Sequence, residues 1–384
     1  MSIETPKDRT VAEILGAASS SSGPTNGDDT LMGTPLADII DLLDGNDVYS
    51  GANGNDSVVG NDGNDSILGQ GGSDFIQGGS GDDTLKGGLD TDLLIGDSGA
   101  DRIYGEGGSD SVIGGSGNDF LWGGTGADTL YGGYGDDVLQ GQGGNDLLKG
   151  EGGADTIFGQ SGSDTIEGNS GADSLSGGAG ADTIYGQEGH DFIDGGTWHD
   201  ELNGGIGDDT ILGGGGNDRL NGTEGRDQLH GGTGNDSLYG GNGDDTLYGD
   251  GGNDFFSGFY GRDLMHGGSG DDRFLVSIGT DTVFGDGGDD RFIIRSHGID
   301  GHIIWGGAGN DSFEFENTVA TSTIEDFLSG DILDLSGLFV TPQFDDLMIT
   351  YSSGGATATI DFDNGGTITL NNLEAPLTAS DFVF

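Results

Sequence analysis

Gly114-Gly-Ser-Gly-Asn-Asp-Phe-Leu-Trp122 carries the pattern on which the rest of the chain is built. Asp119 is preceded by glycine two and five positions earlier and followed, two positions later, by Leu121. Stepping by nine from Asp29, every position through Asp290 is aspartate, thirty in all, and the residue two after each is large and apolar (Leu31, Val58, Ile67, Leu85, Ile103 and onward to Phe292). Glycine stands two before the aspartate in 27 of the thirty, departing at Leu36, Asp90 and Trp198, and five before it in 27, departing at Pro24, Leu42 and Val276. The consensus is G-x-x-G-x-D-x-U-x, with U apolar. A strict period kept over this length means one structural unit per repeat, stacked on its neighbours.

Within each repeat, x-U-x reads as a three-residue strand whose middle side chain points opposite to its neighbours. The remaining six residues must turn the chain, and glycines supply positive-φ conformations that other residues resist. Two nonapeptides make one 18-residue coil, with the U residues of its two strands meeting inside. Residues nine apart then lie on opposite sides and residues eighteen apart stack. At about 4.8 Å per coil, fifteen coils make a prism on the order of 70 Å long. The predicted fold is all-β: a right-handed parallel β-roll with a small β-rich C-terminal cap.

The expected organisation is a tail or cap over 1–22, the roll over 23–311, and a C-terminal capping and export domain over 312–384. In the first segment Thr10 and Glu13 form a candidate capping box ahead of Ile14, followed by the linker Ser19-Ser-Ser-Ser22. Past Asp290 the register breaks: Arg295-Ser-His-Gly-Ile299 looks like a three-residue insertion, which puts His302 in the aspartate slot and returns to Asp311. Beyond it, Ala356–Phe362, then Asp-Asn-Gly-Gly, then Thr367–Leu370 reads as a β-hairpin.

Composition limits the function. With 86 Gly, 68 Asp plus Glu against 11 Lys plus Arg, and 31% hydrophobic residues, the formal charge is −57 and a core alone offers little to offset chain entropy. Such a charge repels nucleic acid and anionic lipid and attracts cations. The absence of cysteine excludes disulfides and thiolate-ligated metals. No stretch approaches the ~18 apolar residues of a membrane span, and Met1–Arg9 opens no secretory h-region, so export is expected to use another signal. Catalysis is not expected: His190 and His199 fall on opposite sides of the roll, His230 and His266 are two coils apart, and neither H-E-x-x-H nor a G-x-S-x-G elbow is present.

Calcium is a hard cation that takes six to eight oxygens, preferably carboxylates and carbonyls. Glycine-rich turns expose carbonyls, and the stacked aspartates add a charged ligand at a fixed place, so an ion can sit between residues n and n+18, Asp119 with Asp137 for example. Stacked carboxylates left without counter-ions would repel strongly.

The runs Gly71–Gly79, Gly114–Trp122 and Gly231–Tyr239 resemble the G-G-x-G-x-D-x-U-x signature of RTX ("repeats in toxin") proteins, exported hemolysins, proteases and related chains. The resemblance implies a hemolysin-type parallel β-roll with many Ca2+ ions, one in each inter-coil turn, bound by carboxylates and backbone carbonyls. The ligands it implies here are Asp47, Asp56, Asp65, Asp74, Asp83, Asp101, Asp110, Asp119, Asp128, Asp137, Asp146, Asp155, Asp164 and Asp173. The series continues with Asp182, Asp191, Asp209, Asp218, Asp227, Asp236, Asp245, Asp254, Asp263, Asp272, Asp281, Asp290 and Asp311. Asp38, Asp92 and Asp200 lie in irregular loops and are left out, as is the His302 slot.

At the C-terminus, Ile324-Glu-Asp-Phe327, Gly330–Ser336 and Asp381-Phe-Val-Phe384 look like the end of type I secreted RTX proteins. That likeness implies the type I secretion machinery as a partner, an uncleaved C-terminal signal and a secreted, extracellular location. Outward aromatics three after the aspartate, Tyr104, Trp122, Phe158, Tyr248 and Phe284 on one side and Tyr131, Tyr185 and Tyr239 on the other, suit exposed strands. Such a stripe is also a surface for extracellular glycans or surface proteins. The leading expectation is a secreted, non-enzymatic calcium-binding protein that folds outside the cell as a matrix, surface or adhesion component, similar in size to small secreted calcium-binding nodulation proteins. The alternatives are a membrane-active RTX toxin or effector, and an export and folding module derived from a secreted protease or polysaccharide-modifying enzyme.

Overall fold

The computed structural model describes residues 23–295, 301–316, 321–338, 347–362 and 366–384. The candidate capping box at Thr10 and Glu13 and most of the Arg295–Ile299 insertion lie outside the described residues. Two compact units are present, Met1–Thr183 and Ile184–Phe384.

In the first unit, alternate strands form two parallel sheets in a constant register of eighteen. Phe120–Thr125 lies between Arg102–Gly107 and Val138–Gly143, with Leu121 opposite Ile103 and Leu139. Ser111–Ser116 lies likewise between Leu93–Ser98 and Thr129–Tyr134 in the other sheet. The U side chains point inward: Leu121, Leu130, Leu139 and Leu148 are all fully buried. Leu121 and Leu139 come from one sheet and Leu130 and Leu148 from the other, so the core is built of two columns of mostly branched aliphatics rather than a thick interior.

The strands differ in length from the sequence expectation. Thr30–Met32, Ile39–Asp41 and Val48–Ser50 have three residues, but from Ser57–Asp62 onward most have six. Main-chain pairing runs on past x-U-x into the turn, as where Gly115 and Ser116 pair with Gly133 and Tyr134. Side-chain alternation alone does not register these residues, because glycines interrupt it.

The second unit repeats the arrangement through Phe192–Thr197, Thr210–Gly215 and Gln228–Thr233 in one sheet and Glu201–Ile206, Arg219–Glu224 and Ser237–Asn242 in the other. Register then jumps to twenty-one, Thr282 facing Ile303 and Arg291 facing Ser312, which is the three-residue insertion read from the sequence. Parallel stacking continues past Asp311. Thr321–Ile324 pairs with Gly301–Trp305, Ile332–Asp334 with Ser312–Phe315, and Phe382–Val383 with Leu333–Asp334. Thr367–Leu370 adds in parallel to Thr321–Ile324 and pairs antiparallel with Ala358–Asp361, the expected hairpin, which in turn pairs with Met348–Tyr351. Antiparallel strands thus end one sheet, and the other ends on the two-residue strand Phe382–Val383, an edge too short to template further pairing.

Candidate metal centre

Within each unit the repeating aspartates form a ladder along each edge. The backbone N–H of Asp119 donates to Oδ1 of Asp137 at 2.8 Å, and the same bond, n to n+18, joins Asp47 to Asp65, Asp56 to Asp74 and Asp101 to Asp119. It recurs in the second unit from Asp209 to Asp227, Asp236 to Asp254 and Asp272 to Asp290, and across the insertion from Asp290 to Asp311. Asp92 and Asp200, set apart by their loop sequences, hold the same position: Asp92 donates to Asp110 and Asp200 to Asp218. The ladder side chains are buried, Asp119 and Asp137 each 1% exposed.

One oxygen of each carboxylate is thus committed to the preceding coil, and the other is not. The Oδ2 atoms of Asp56, Asp83, Asp119, Asp137, Asp227 and Asp254, among others, are buried with no hydrogen-bond partner in the protein. A buried, unpartnered carboxylate oxygen is costly unless something cationic meets it. The glycine five before each aspartate explains where. A methyl group on Gly123 would lie 2.5 Å from Asp128 Oδ2 and 2.9 Å from the carbonyl oxygen of Gly141 in the next coil, so two oxygens converge on a space that only glycine leaves open. This glycine is therefore required for clearance, since its φ is not positive. The glycine two before the aspartate is the one that needs the left-handed region, as at Gly117 (φ +130°) and Gly135 (φ +129°). A second left-handed position, four before, is taken by glycine or by Gln70, Glu106, Gln142 or Asp250. The sequence pattern had pooled these roles.

Calcium suits this donor set. The atoms that converge are carboxylate and carbonyl oxygens, and no group of three or more His, Asp or Glu side chains gathers among the described residues, so most ligands must come from the backbone. Bound there, calcium supplies the positive charge the ladder lacks. Without it, burial first and then the like charges of neighbouring rungs push the carboxylates up, Asp128 to about 6, Asp101 and Asp137 to about 7 and Asp290 to about 8, against the lowering effect of the backbone N–H.

The ends of the ladder are built differently. Asp29 and Asp38 receive at Oδ2 the backbone N–H of Thr25 and Thr34, each at 2.6 Å. Asp331, beyond the expected roll, extends the ladder by accepting Asp311 N–H at 3.0 Å on Oδ1, and its Oδ2 accepts Leu328 N–H at 2.6 Å. Nearby, Asp326 accepts the N–H groups of Gly306 and Gly307. At these rungs protein donors do what a cation would do elsewhere. Sequence reasoning missed Asp331 because it is twenty residues, not eighteen, beyond Asp311. His302 does occupy the aspartate slot: its buried Nδ1 lies 3.3 Å from both the N–H and Oδ2 of Asp281.

A second, exposed ladder was also missed. The residue just before the aspartate offers a side-chain oxygen to the N–H one coil later, as Asn217 does to Asn235, Asn235 to Asn253 and Asn118 to Asp136. His190 and His199 stand in this row, their Nδ1 atoms accepting from Asp208 and Asn217, which gives those two histidines a structural task. Some of the outward aromatics form stacks: Tyr104 on Trp122 at 4.4 Å, and His230, Tyr248, His266, Phe284 and Trp305 in one file at 4.4–5.3 Å. Within these stacks neighbouring rings cover one another's faces, while Phe158 and Tyr185 are each 37% exposed.

No curated protein matches the chain closely enough to serve as a relative. A family model described as the RTX calcium-binding nonapeptide repeat (4 copies) matches residues 25–58, 59–94, 95–130, 131–166, 167–197, 199–229, 221–256, 257–292 and 303–316. These matches tile nearly the whole length over which the carboxylate ladder runs, and their repeat unit is the one whose glycines and aspartate build it; the chain belongs to the RTX calcium-binding nonapeptide repeat family.

Proposed function

We propose that this calcium-binding β-roll is a secreted, non-enzymatic protein that folds when it meets calcium outside the cell and serves as a matrix, surface or adhesion component. The observation that carries the reading is the file of buried, unpartnered Oδ2 atoms beside backbone carbonyls. An acidic chain that cannot hold its coils together without calcium stays extended where calcium is scarce and becomes a rigid solenoid where it is plentiful. The ligands of this proposal are the ladder aspartates from Asp47 to Asp311, and the export signal is the C-terminal segment ending in Asp381–Phe384.

Circular dichroism and hydrodynamic radius through a calcium titration test it. The metal-free chain should be expanded, and β-structure should appear cooperatively at calcium concentrations typical of extracellular modules. A compact β-rich chain in excess chelator, or a load of only a few ions, would overturn the proposal.

A further inference from the structure

Along one edge of the first unit an open groove of roughly 600 Å³ runs across the rungs of Asp74, Asp92 and Asp110. Its floor is the ladder itself: these carboxylates are 2–3% exposed and their Oδ2 atoms have no protein partner. One bank carries Ser73, Thr91 and Ser109, in the row that elsewhere holds the exposed amide ladder. Here that ladder lapses. Ser73 N–H reaches Asn55 and Ala127 N–H reaches Ser109 Oγ, but among the described residues no protein acceptor meets the N–H of Thr91 or Ser109. The opposite bank carries Phe75 and Leu93, side by side in register.

We infer that this groove binds an uncharged, hydroxyl-rich oligosaccharide lying along the stack of coils. Two open N–H donors and three hydroxyls face an apolar strip, which matches the hydroxyl edge and C–H face of a sugar ring. The spacing selects between polymers. These features recur at the coil spacing of about 4.8 Å, whereas an extended peptide advances about 3.3 Å per residue and falls out of step within two residues. One sugar residue of an extended glycan advances by close to one coil. Charge selects among glycans, since no Lys, Arg or His lines the groove to pair with a sugar carboxylate or sulfate. The stacked aromatics, with their faces covered, are not the platform.

The inference rests on the proposed extracellular, calcium-folded state. Its test uses the full chain in saturating calcium, titrated calorimetrically with cellotetraose, laminaritetraose, mannotetraose and chitotetraose, and screened on an array of neutral and acidic glycans. At least one neutral tetrasaccharide should bind. The double variant Ser73→Asn, Thr91→Asn, whose side-chain oxygens would meet the N–H groups of residues 91 and 109 one coil later, should weaken that binding by about tenfold or more, while Trp122→Ala should leave it unchanged. Circular dichroism on the same samples separates the two claims. If calcium folds the chain but no neutral glycan binds, if only acidic glycans bind, or if binding ignores the double variant, the groove assignment falls and the calcium-folding reading stands. If calcium does not fold the chain, both fall.

Discussion

Gly141, Gly143 and Gly144 lie in one turn ahead of Asp146, and the same change to alanine at each should have three different outcomes. At Gly144 φ is +142° and a methyl would run into the carbonyl oxygen of Gly126, so the backbone must shift; strain and overpacking together put the cost at about 2–4 kcal/mol. At Gly141 the methyl would meet Asp146 Oδ2, the end of a side chain that can rotate away. Its cost falls on the carboxylate's position, so Gly141→Ala should keep the fold in saturating calcium but lose one or two ions. At Gly143 the nearest atoms are Ser161 Oγ at 3.6 Å and the Gly124 carbonyl oxygen at 3.8 Å, and φ is not left-handed, so alanine should be neutral or stabilising by about 0.5 kcal/mol through the unfolded chain. The calcium midpoint is a poor readout. If about 25 ions bind in one cooperative step, a 4 kcal/mol penalty, about three decades in equilibrium constant, spreads to roughly a tenth of a decade per ion. Urea unfolding in saturating calcium and a direct ion count by elemental analysis resolve the differences. A full ion load in Gly141→Ala, or equal damage from Gly143→Ala, would refute the assignment of the fifth-before glycine to carboxylate clearance.

Other consequences follow from the same geometry. Burial raises many of the ladder carboxylates, Asp128 to about 6, Asp101 to about 7 and Asp290 to about 8 from 3.8, so the metal-free roll takes up protons that the unfolded chain releases; the stability these groups contribute is fully present below about pH 4 and is lost as pH rises through 6–8. Circular dichroism in chelator should therefore show β-structure gained on acidification, and no gain between pH 8 and 4 would contradict the burial argument. Protons and calcium compete for the same oxygens, so calcium affinity, measured by calorimetry, should weaken over the same range. Replacing His302 by Asp should restore an oxygen ligand beside Asp281 and raise the counted load by one ion; an unchanged count would show that this rung is closed by its surroundings. Deleting Asp381–Phe384, where Asp381 accepts the N–H of Thr378 and Phe382 stacks on Phe384, should leave the protein inside the producing cell, assayed by fractionation; undiminished export would refute the type I assignment.

The parallel roll, its eighteen-residue register, the inward file of apolar residues and even the three-residue slip before His302 are legible in the chain, because each depends on counting along it. A period of nine with one apolar residue per repeat admits few other packings. Which oxygen of Asp119 stays free is not legible, since it is decided by the N–H of a residue eighteen positions earlier and by a glycine carbonyl in another coil. The separate tasks of Gly141 and Gly144 are likewise invisible in a consensus that writes both as G: one makes room and the other bends the chain, and only the stacked neighbour shows the difference. Asp331 escaped because the ladder is held by distance in space, which tolerates a step of twenty where a sequence period does not. The lapse of the amide row at Thr91 and Ser109 belongs to the same class, for a missing bond between coils becomes a groove only once the coils are stacked.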